Sequence, residues 1–596
     1  MVRLHWFTAF KDLKGYGRED ARGDLVAALT LMFLAVPQGV AYAMIAGLPP
    51  VMGLYAAAIP AIVGALFRSS RHVIVGPTNA ISLLVGGALA VGTGADPFVL
   101  GVTLAAMVGV IQLVMGLLGL GVLIDFISAP VVLGYITGAG VLIGVGQLPN
   151  LTGTPGAQGH VLHRVTVWLE GFGALNPWTL GLALGTLVLV VALRRWNRRF
   201  PGAIAALGAG TLFSVALELP EKGVQRVVDL SAVPAGLPPL TVPDWELVSQ
   251  LLPLAIAVSV LSLVEGCSVG RSIAGTSGQR LHNGAEFIGQ GLANIAASFS
   301  GGYPCSGSLS RSTLNYQVGA RTRMAGVYGG VLMLLVLLVL GPLVNQTPVA
   351  CLAGLLLVIA WDLIDVTRVR MVLGGSWGDK AAFLATLFGT WAMPLDKAIY
   401  LGVAVSLLFL LKRFRFLSTS EWGRNEAGEW TSRELNEPEA VGFKRCGTLR
   451  VVGFKGRFFF GAEGALRRRV NQLLQDEDAR AFVFHMDGTH GMDVSIAECL
   501  ANIVERARSK GRLFFFTGVS PETFQMWERL GLLGTFGEDN VVVGRIPWEK
   551  CSDEVLYRLW ETLGGGPCPS CGEACVCKAP RTKPHIAEVI SLNQRS

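Results

Sequence analysis

Long apolar segments follow one another along the first two thirds of the chain, with short polar loops between them. A helix needs about 20 mostly apolar residues to cross a hydrocarbon layer of about 30 Å. Segments of this kind lie near 24–46, 51–67, 96–121, 124–147, 177–194, 201–217, 249–268, 323–345, 348–362, 380–395 and 396–412. Shorter or more polar candidates lie near 73–92, 283–300 and 304–317. The pattern predicts a polytopic α-helical membrane domain with about fourteen spans.

The apolar pattern ends shortly before Ser418, and the chain then has the charge density of a soluble protein. We expect strands in RVVGFKG, RFFFGAE, AFVFHMDG and RLFFFTGV, with helices in the segments that separate and follow them. This pattern is typical of a small α/β domain. The predicted organisation is an amphipathic cytoplasmic segment (1–20), a transmembrane domain (21–416), a linker (417–440), the α/β domain (441–550) and a tail (551–596).

Composition supports a membrane protein, because 52% of the residues are hydrophobic and only 15% are charged, against about a quarter charged in soluble domains. The net charge of +7 needs no nucleic-acid partner, since Lys and Arg beside apolar spans orient those spans. Basic loops such as RSSRH, RRWNRRF and DVTRVR follow even-numbered spans. The positive-inside rule therefore places both termini and the α/β domain in the cytoplasm, and we expect a bacterial inner or plasma membrane location.

Two apolar segments are interrupted in the same way. VIVGPTNAISLLVGG (73–87) and YPCSGSLSRSTLN (303–315) each place a proline and a glycine at membrane depth, just before hydroxyl-bearing residues. Pro77 and Pro304 occupy corresponding places in two halves of the domain, counted from Leu25 and Leu251. Interrupted segments at matching positions of two halves indicate an inverted-repeat transporter with its substrate site between them.

The chemistry of these breaks favours an anion. Half-helices that begin near Thr78 and near Ser306 would expose unpaired N–H groups and positive dipole ends at mid-membrane. Ser308 and Ser312 fall on one helical face, and Arg311 adds a permanent positive charge. Two other interpretations remain: the serines alternate as in a strand, or they are small packing residues beside a snorkelling arginine.

Two further spans carry polar candidates. Gln38 and Tyr42 are four residues apart on one face of the first span, where a buried amide and phenol need partners or a ligand. Glu265 lies within the eighth span, where a carboxylate is a candidate proton carrier by default, and pairing with the charge of Arg311 is the alternative. Glu286 is expected to make a structural hydrogen bond near a helix start.

The motifs VPQGVAYAMIAGLPPVMGLYAA (36–57), VGPTNAISLL (75–84), LVEGCSVGRSIA (263–274) and NGAEFIGQGLANIAASFSGGYPCSGSLSRSTLNYQVGARTRMAG (283–326), together with the C-terminal domain, resemble the sulfate permease family of anion transporters. The resemblance implies two inverted seven-span repeats, a core and a gate domain, an elevator-like motion and a homodimer. It also implies that the following residues line the substrate site: Gln38, Tyr42, Thr78, Ser308, Ser310 and Arg311.

The predicted function is secondary active transport of a small anion, expected to be coupled to protons through Glu265, with membrane lipid as the surrounding partner. Sulfate, bicarbonate, chloride, nitrate and dicarboxylates all fit dipoles and hydroxyls. Uncoupled exchange and a channel-like conductance are the alternatives, and a nucleobase permease fits less well because of Arg311. No GxxxxGK[ST] or HExxH motif is present and GSLSR lacks the second glycine of a GxSxG motif, so an enzyme is not expected.

The C-terminal region adds two hypotheses. The α/β domain resembles the STAS domain shared by sulfate transporters and anti-sigma-factor antagonists, in which a phosphorylated serine follows a loop aspartate. Here Val494 follows Asp493, so phosphorylation at that place is not expected. In the tail, four thiols could bind zinc or an iron–sulfur cluster, and a disordered redox-active tail is the alternative; these are Cys568, Cys571, Cys575 and Cys577. Transport itself is expected to need no cofactor.

Overall fold

The computed structural model describes residues 15–89, 95–121, 128–157, 161–196, 202–414, 417–434, 442–544 and 547–562. The chain divides into two compact units near residue 407. The N-terminal unit is helical and the C-terminal unit contains a six-stranded sheet.

The helices of the N-terminal unit are α1 Arg18–Ile45, α2 Pro50–Phe67, α3 Asn79–Leu89, α4 Pro97–Leu117, α5 Ala129–Thr152, α6 Val161–Glu170, α7 Pro177–Trp196, α8 Gly202–Ala216, α9 Val227–Leu230, α10 Val248–Ser277, α11 Asn283–Phe299, α12 Leu309–Val318, α13 Met324–Asn345, α14 Val349–Asp362, α15 Val366–Gly374, α16 Trp377–Ala392 and α17 Leu395–Phe414. Apart from α6, α9 and α15, each corresponds to one predicted span. Among the described residues, seven helices are long and apolar enough to cross a membrane by length and composition.

Local sequence explains where several of these helices begin and end. Helix α4 begins at Pro97 because the Asp96 carboxylate accepts the backbone N–H of Phe98 as an N-cap. Helices α5 and α10 end at Gly153 and Gly278, which adopt left-handed backbone conformations that glycine tolerates best.

The helices pack in two groups. Helices α1–α4 pack with α10–α13, and α5, α7 and α8 pack with α14, while α16 and α17 lie against α5. Close helix–helix contacts inside the first group depend on glycine. A Cβ atom on Gly53 would lie 1.9 Å from the carbonyl oxygen of Gly39. Glycine at these positions therefore allows the two helices to approach closely.

The two interrupted segments meet as a short antiparallel crossing. Strand β1 (Val75–Gly76) pairs with β2 (Ser306–Gly307), with Val75 opposite Gly307 and Gly76 opposite Ser306. Helix α3 follows β1 and α12 follows β2. Because the strands are antiparallel, the two half-helices leave the crossing in opposite directions, as an inverted repeat requires.

The elements of the C-terminal unit are β3 Ser418–Arg424, β4 Trp430–Glu434, β5 Leu449–Arg457, α18 Glu463–Leu473, β6 Ala481–His490, α19 Val494–Arg508, β7 Leu513–Val519, α20 Pro521–Arg529, α21 Leu533–Phe536, β8 Val541–Val543 and α22 Trp548–Thr562. The sheet order is β4-β3-β5-β6-β7-β8, with β5 to β8 parallel and β3 antiparallel to both of its neighbours. Helices α18, α19 and α20 cover one face, and α22 packs against the other.

The structure differs from the predicted elements in two places. RFFFGAE is not a strand, because β5 ends at Arg457 and Phe460–Ala462 form a 3₁₀ turn whose Phe460 N–H donates to the Asp493 carboxylate. In addition, β3 and β4 lie in the segment predicted to be a linker, and α22 lies partly in the predicted tail. The sheet and the helices that pack on it therefore extend beyond residues 441–550.

Candidate functional site

The serines of YPCSGSLSRSTLN have different roles in the crossing. Ser306 belongs to β2, so the half-helix begins at Leu309 rather than near Ser306. The Ser308 hydroxyl accepts from the Arg311 N–H as the N-cap, at 3.5 Å. The Ser312 hydroxyl accepts from the Ile74 N–H at 2.9 Å and is fully buried, so it fixes the crossing.

Arg311 connects the two half-helices. Its guanidinium is 1% exposed, and Nη2 donates to the carbonyl oxygen of Pro77 at 2.6 Å. Its Nε atom is buried and has no hydrogen-bond partner in this structure. A Cβ atom on Gly76 would lie 2.7 Å from Nη1, so glycine is required there for the guanidinium to fit. The positive charge thus lies beside the N-terminal end of α3.

Glu265 lies on α10 next to the same segment. The Thr78 hydroxyl donates to the Glu265 carboxylate at 3.0 Å. Glu265 and Arg311 are within electrostatic range of each other but form no ion pair in the part of the chain that the structure describes. The two charged groups instead contact neighbouring residues, Thr78 and Pro77, just before the start of α3.

The remaining predicted residues lie on α1 and at the start of α12. Gln38 and Tyr42 are buried on α1, and the Gln38 Oε1 atom has no hydrogen-bond partner. Tyr42 lies near the charged groups of Arg311 and Glu265. Ser310 is exposed, with its hydroxyl 3.4 Å from that of Ser308. Unpaired polar atoms and an exposed hydroxyl at a helix N-terminus are the features of a site that can accept a polar ligand.

A buried ion pair behind the crossing was not predicted from the sequence. Arg68 was assigned to a basic loop, but its side chain is 1% exposed, and it donates to the Glu286 carboxylate at 2.6 Å and to the Gly266 carbonyl at 3.2 Å. The Ser69 hydroxyl and the Ser70 N–H also donate to Glu286, which confirms its structural role. This network connects the β1 segment to α10, beside Glu265, and to α11.

A polar stripe on α11 extends this support to β2. The Gln290 amide accepts from Arg68 and donates to the Cys305 carbonyl at 2.9 Å. Asn294 accepts from the Cys305 N–H at 2.7 Å. Glu286, Gln290 and Asn294 are spaced four residues apart in an otherwise apolar span. That spacing was the available signal, because buried polar groups on one helical face need partners.

We predict that Arg68→Met destabilises the protein strongly. Removing one partner of a buried ion pair leaves an uncompensated charge and costs about 3–5 kcal/mol. The free energy of unfolding would be measured by denaturant titration in detergent. Arg194→Met is the matched control, because Arg194 pairs with Asp362 at an exposed position and its loss should cost at most about 1 kcal/mol. Equal losses in the two variants would contradict a structural role for Arg68.

The hypothesis of a metal site concerns residues 568–577, which lie outside the described residues. Among the residues that the structure does describe, no group of three or more His, Cys, Asp or Glu side chains could hold a metal ion. Metal binding by the cysteines of the tail therefore stays a prediction.

Comparison with known proteins gives the family. The model of the sulfate permease family matches residues 22–386, more than half of the chain. The chain belongs to the sulfate permease family. The STAS domain model matches residues 437–542. The chain is thus an integral membrane anion transporter, not an enzyme, and the predicted fold class is confirmed.

Relatives of this chain match over most of their length. A probable sulfate transporter of Mycobacterium tuberculosis (strain CDC 1551 / Oshkosh) is 29% identical, over 91% of this chain and 97% of the relative. The putative sulfate transporter YvdB of Bacillus subtilis is 26% identical, over 88% and 97%. The murine Slc26a9 anion transporter in the inward-facing state is a similar solved structure, with a TM-score of 0.83 and 20% identity over 90% of this chain and 92% of that chain. Another is the transmembrane domain of a cyanobacterium bicarbonate transporter, BicA, with a TM-score of 0.57 and 24% identity over 66% of this chain and 98% of that chain.

The STAS domain of the permease has no serine at the loop position discussed above. Asp493 is the N-cap of α19, and Val494 after it is 56% exposed. His485 is a packing residue, since it is buried with Nδ1 3.0 Å from the Thr517 hydroxyl and lies against the ring of Trp422. Burial raises the pKa of the Cys499 thiol, which disfavours the reactive thiolate there.

We predict that truncation after Gly564 leaves transport and thermal stability near wild type. Every residue of α22 remains in that variant, including the buried Trp548 and Val555. Truncation after Pro547 is the matched control, because it removes α22 and exposes the sheet face that α22 covers. Each fully buried apolar side chain contributes about 1.5–3 kcal/mol, so the control should melt at a lower temperature. Loss of uptake after the first truncation, with normal expression, would show that the tail is regulatory.

Proposed function

We propose that this protein is a secondary active transporter that carries a small oxyanion together with a proton. The observation that supports this most directly is the contact of Arg311 with Pro77 and of Glu265 with Thr78. A permanent positive charge and a titratable carboxyl group thus contact adjacent residues at the start of one half-helix.

The charges supply a reason for coupling. With Glu265 ionised, its charge offsets that of Arg311, and the half-helix ends alone attract an anion. With Glu265 protonated, the net positive charge of Arg311 adds to the two helix dipoles. An anion therefore binds better when the proton is present, and by linkage the proton binds better when the anion is present.

The substrate class follows from the donors. Backbone N–H groups at two half-helix ends, serine and threonine hydroxyls and a forked guanidinium match the oxygens of sulfate, bicarbonate or a carboxylate. Named relatives are sulfate transporters, and one similar structure is a bicarbonate transporter. Nucleobases are neutral and would leave the positive charge of Arg311 without a counter-charge, which disfavours a nucleobase permease.

The division into two helix groups supports an elevator-like cycle. The crossing and its supporting ion pair lie within the group formed by α1–α4 and α10–α13. This group can move as one body against the other, because the site moves with its own supports. A homodimer, a bacterial inner membrane location and cytoplasmic termini are further parts of this proposal, supported by the resemblance and by the basic loops.

The test is a screen of radiolabelled anions in proteoliposomes, with and without a pH gradient. We expect saturable uptake of one oxyanion, accumulated against its own gradient when the outside is acidic. Exchange that ignores the pH gradient would favour the uncoupled exchanger. Conductance that does not saturate would favour a channel-like protein.

A further inference from the structure

An apolar cavity lies between the two helix groups. Its volume is about 320 Å³, within the range of small-ligand sites. Its walls come from α1 and α13 of the first group and from α8 and α14 of the second. Side chains that form these walls include Val36, Val40, Leu207, Val344 and Leu352. The cavity therefore spans the interface across which the proposed cycle takes place.

The chemistry of the walls excludes water and ions as occupants. Among the described residues that line the cavity, none is charged and only Thr211 and Thr347 have polar side chains. The Thr211 hydroxyl donates to the Leu207 carbonyl at 2.8 Å, so it has a partner within its own helix. A cavity that offers so few polar partners does not hold water and instead takes apolar molecules.

The surroundings of the cavity identify the occupant. Leu212 and Leu343, which line it, are 73% and 64% exposed, and Phe33 is partly exposed. In an integral membrane protein such side chains face hydrocarbon, so the cavity is continuous with the lipid-facing surface. We propose that it is a binding site for the acyl chain of a membrane phospholipid.

The site is also close to the anion-binding helix segment. Pro37 lines the cavity, and the next residue is Gln38 of the candidate anion site. Helix α1 thus presents one face to the acyl chain and another to the crossing. An acyl chain between α1 and α8 contacts both helix groups, so its presence affects their relative movement. This consequence rests on the proposed function, whereas the binding site itself does not.

Gly208 offers a way to fill the cavity. A Cβ atom at Gly208 would meet no atom within 4 Å, and Gly208 lines the cavity, so Gly208→Phe is the variant chosen to fill it. Gly185→Phe is the matched control, since Gly185 is also exposed, on α7, with nothing within 4 Å of a Cβ atom, and it does not line the cavity. Gly208→Leu introduces a smaller side chain into the cavity, so the test can still be made if the phenylalanine variant fails to fold.

The experiment uses full-length protein in liposomes containing phosphatidylglycerol with a photoreactive diazirine at the end of one acyl chain. Mass spectrometry would map the label on the α1 wall, residues 32–40, opposite the substituted helix. We expect label there in the wild type and in Gly185→Phe, and its loss in Gly208→Phe or Gly208→Leu. Equal labelling in all variants, or no label on residues 32–40 in the wild type, would overturn the site.

The effect of the acyl chain on transport is measured in a second experiment, separate from the labelling. Under saturating anion we expect a lower maximal rate in Gly208→Phe than in Gly185→Phe, with the same apparent anion dissociation constant. If the label is lost and the maximal rate stays unchanged, the acyl chain binds without affecting the cycle, which refutes the consequence and keeps the site. A wild type that carries no anion in this assay would refute the proposed function, while the labelling result still decides the site.

Discussion

Replacing Arg311 by alanine should raise the apparent dissociation constant of the anion about ten- to a hundredfold. Hydrogen bonds to a charged group contribute about 1.5–3 kcal/mol, and each 1.4 kcal/mol is about a factor of ten. The Arg311 guanidinium contacts the backbone of the opposite break through the carbonyl oxygen of Pro77. Its buried Nε atom, which has no partner in this structure, is free to donate to an anion.

Binding would be measured by isothermal titration or by the substrate dependence of uptake. Arg311→Lys keeps the positive charge but loses the paired N–H donors of the planar guanidinium, so we expect an intermediate affinity. Arg321→Ala is the control for net charge, because Arg321 pairs with Glu19 at an exposed position and should leave affinity near wild type. Unchanged affinity in Arg311→Ala, with normal thermal unfolding, would show that the anion binds elsewhere.

Replacing Glu265 by glutamine should abolish proton-driven accumulation and preserve anion exchange. Glutamine resembles the protonated acid in shape and keeps an oxygen that can accept from the Thr78 hydroxyl, as Glu265 does at 3.0 Å. Because the amide cannot release a proton, the charge that offsets Arg311 never forms. Binding should therefore stay intact at any pH, while the cycle loses its link to the proton gradient.

The measurement is the ratio of internal to external anion under an inward proton gradient, with a pH-sensitive dye inside the vesicles. We expect this ratio to fall to its equilibrium value in Glu265→Gln, and counterflow exchange to continue. Glu265→Asp keeps a titratable group and should retain part of the accumulation. Accumulation by Glu265→Gln at the wild-type level would rule out Glu265 as the proton carrier.

The sequence alone determined the features that depend on local composition. Apolar length predicted the spans, because a helix must match the hydrocarbon thickness whatever its neighbours are. Pro77 and Pro304 predicted the two breaks, since each proline lacks the N–H that continues a helix. Arg311 and Glu265 were identified because an ionisable group at membrane depth needs a partner or a function.

The tertiary structure decided which residues meet. Arg68 lies in a loop with a second arginine, and only the distant Glu286 makes it a buried ion pair rather than a cytoplasmic charge. Ser306 enters a strand because Gly76 lies opposite it, although the local pattern also allowed a helix. RFFFGAE has the composition of a strand, yet Asp493 binds the Phe460 N–H and turns the chain. In each case a partner far away in sequence supplied the hydrogen bond or the charge, and local pattern contains no information about such a partner.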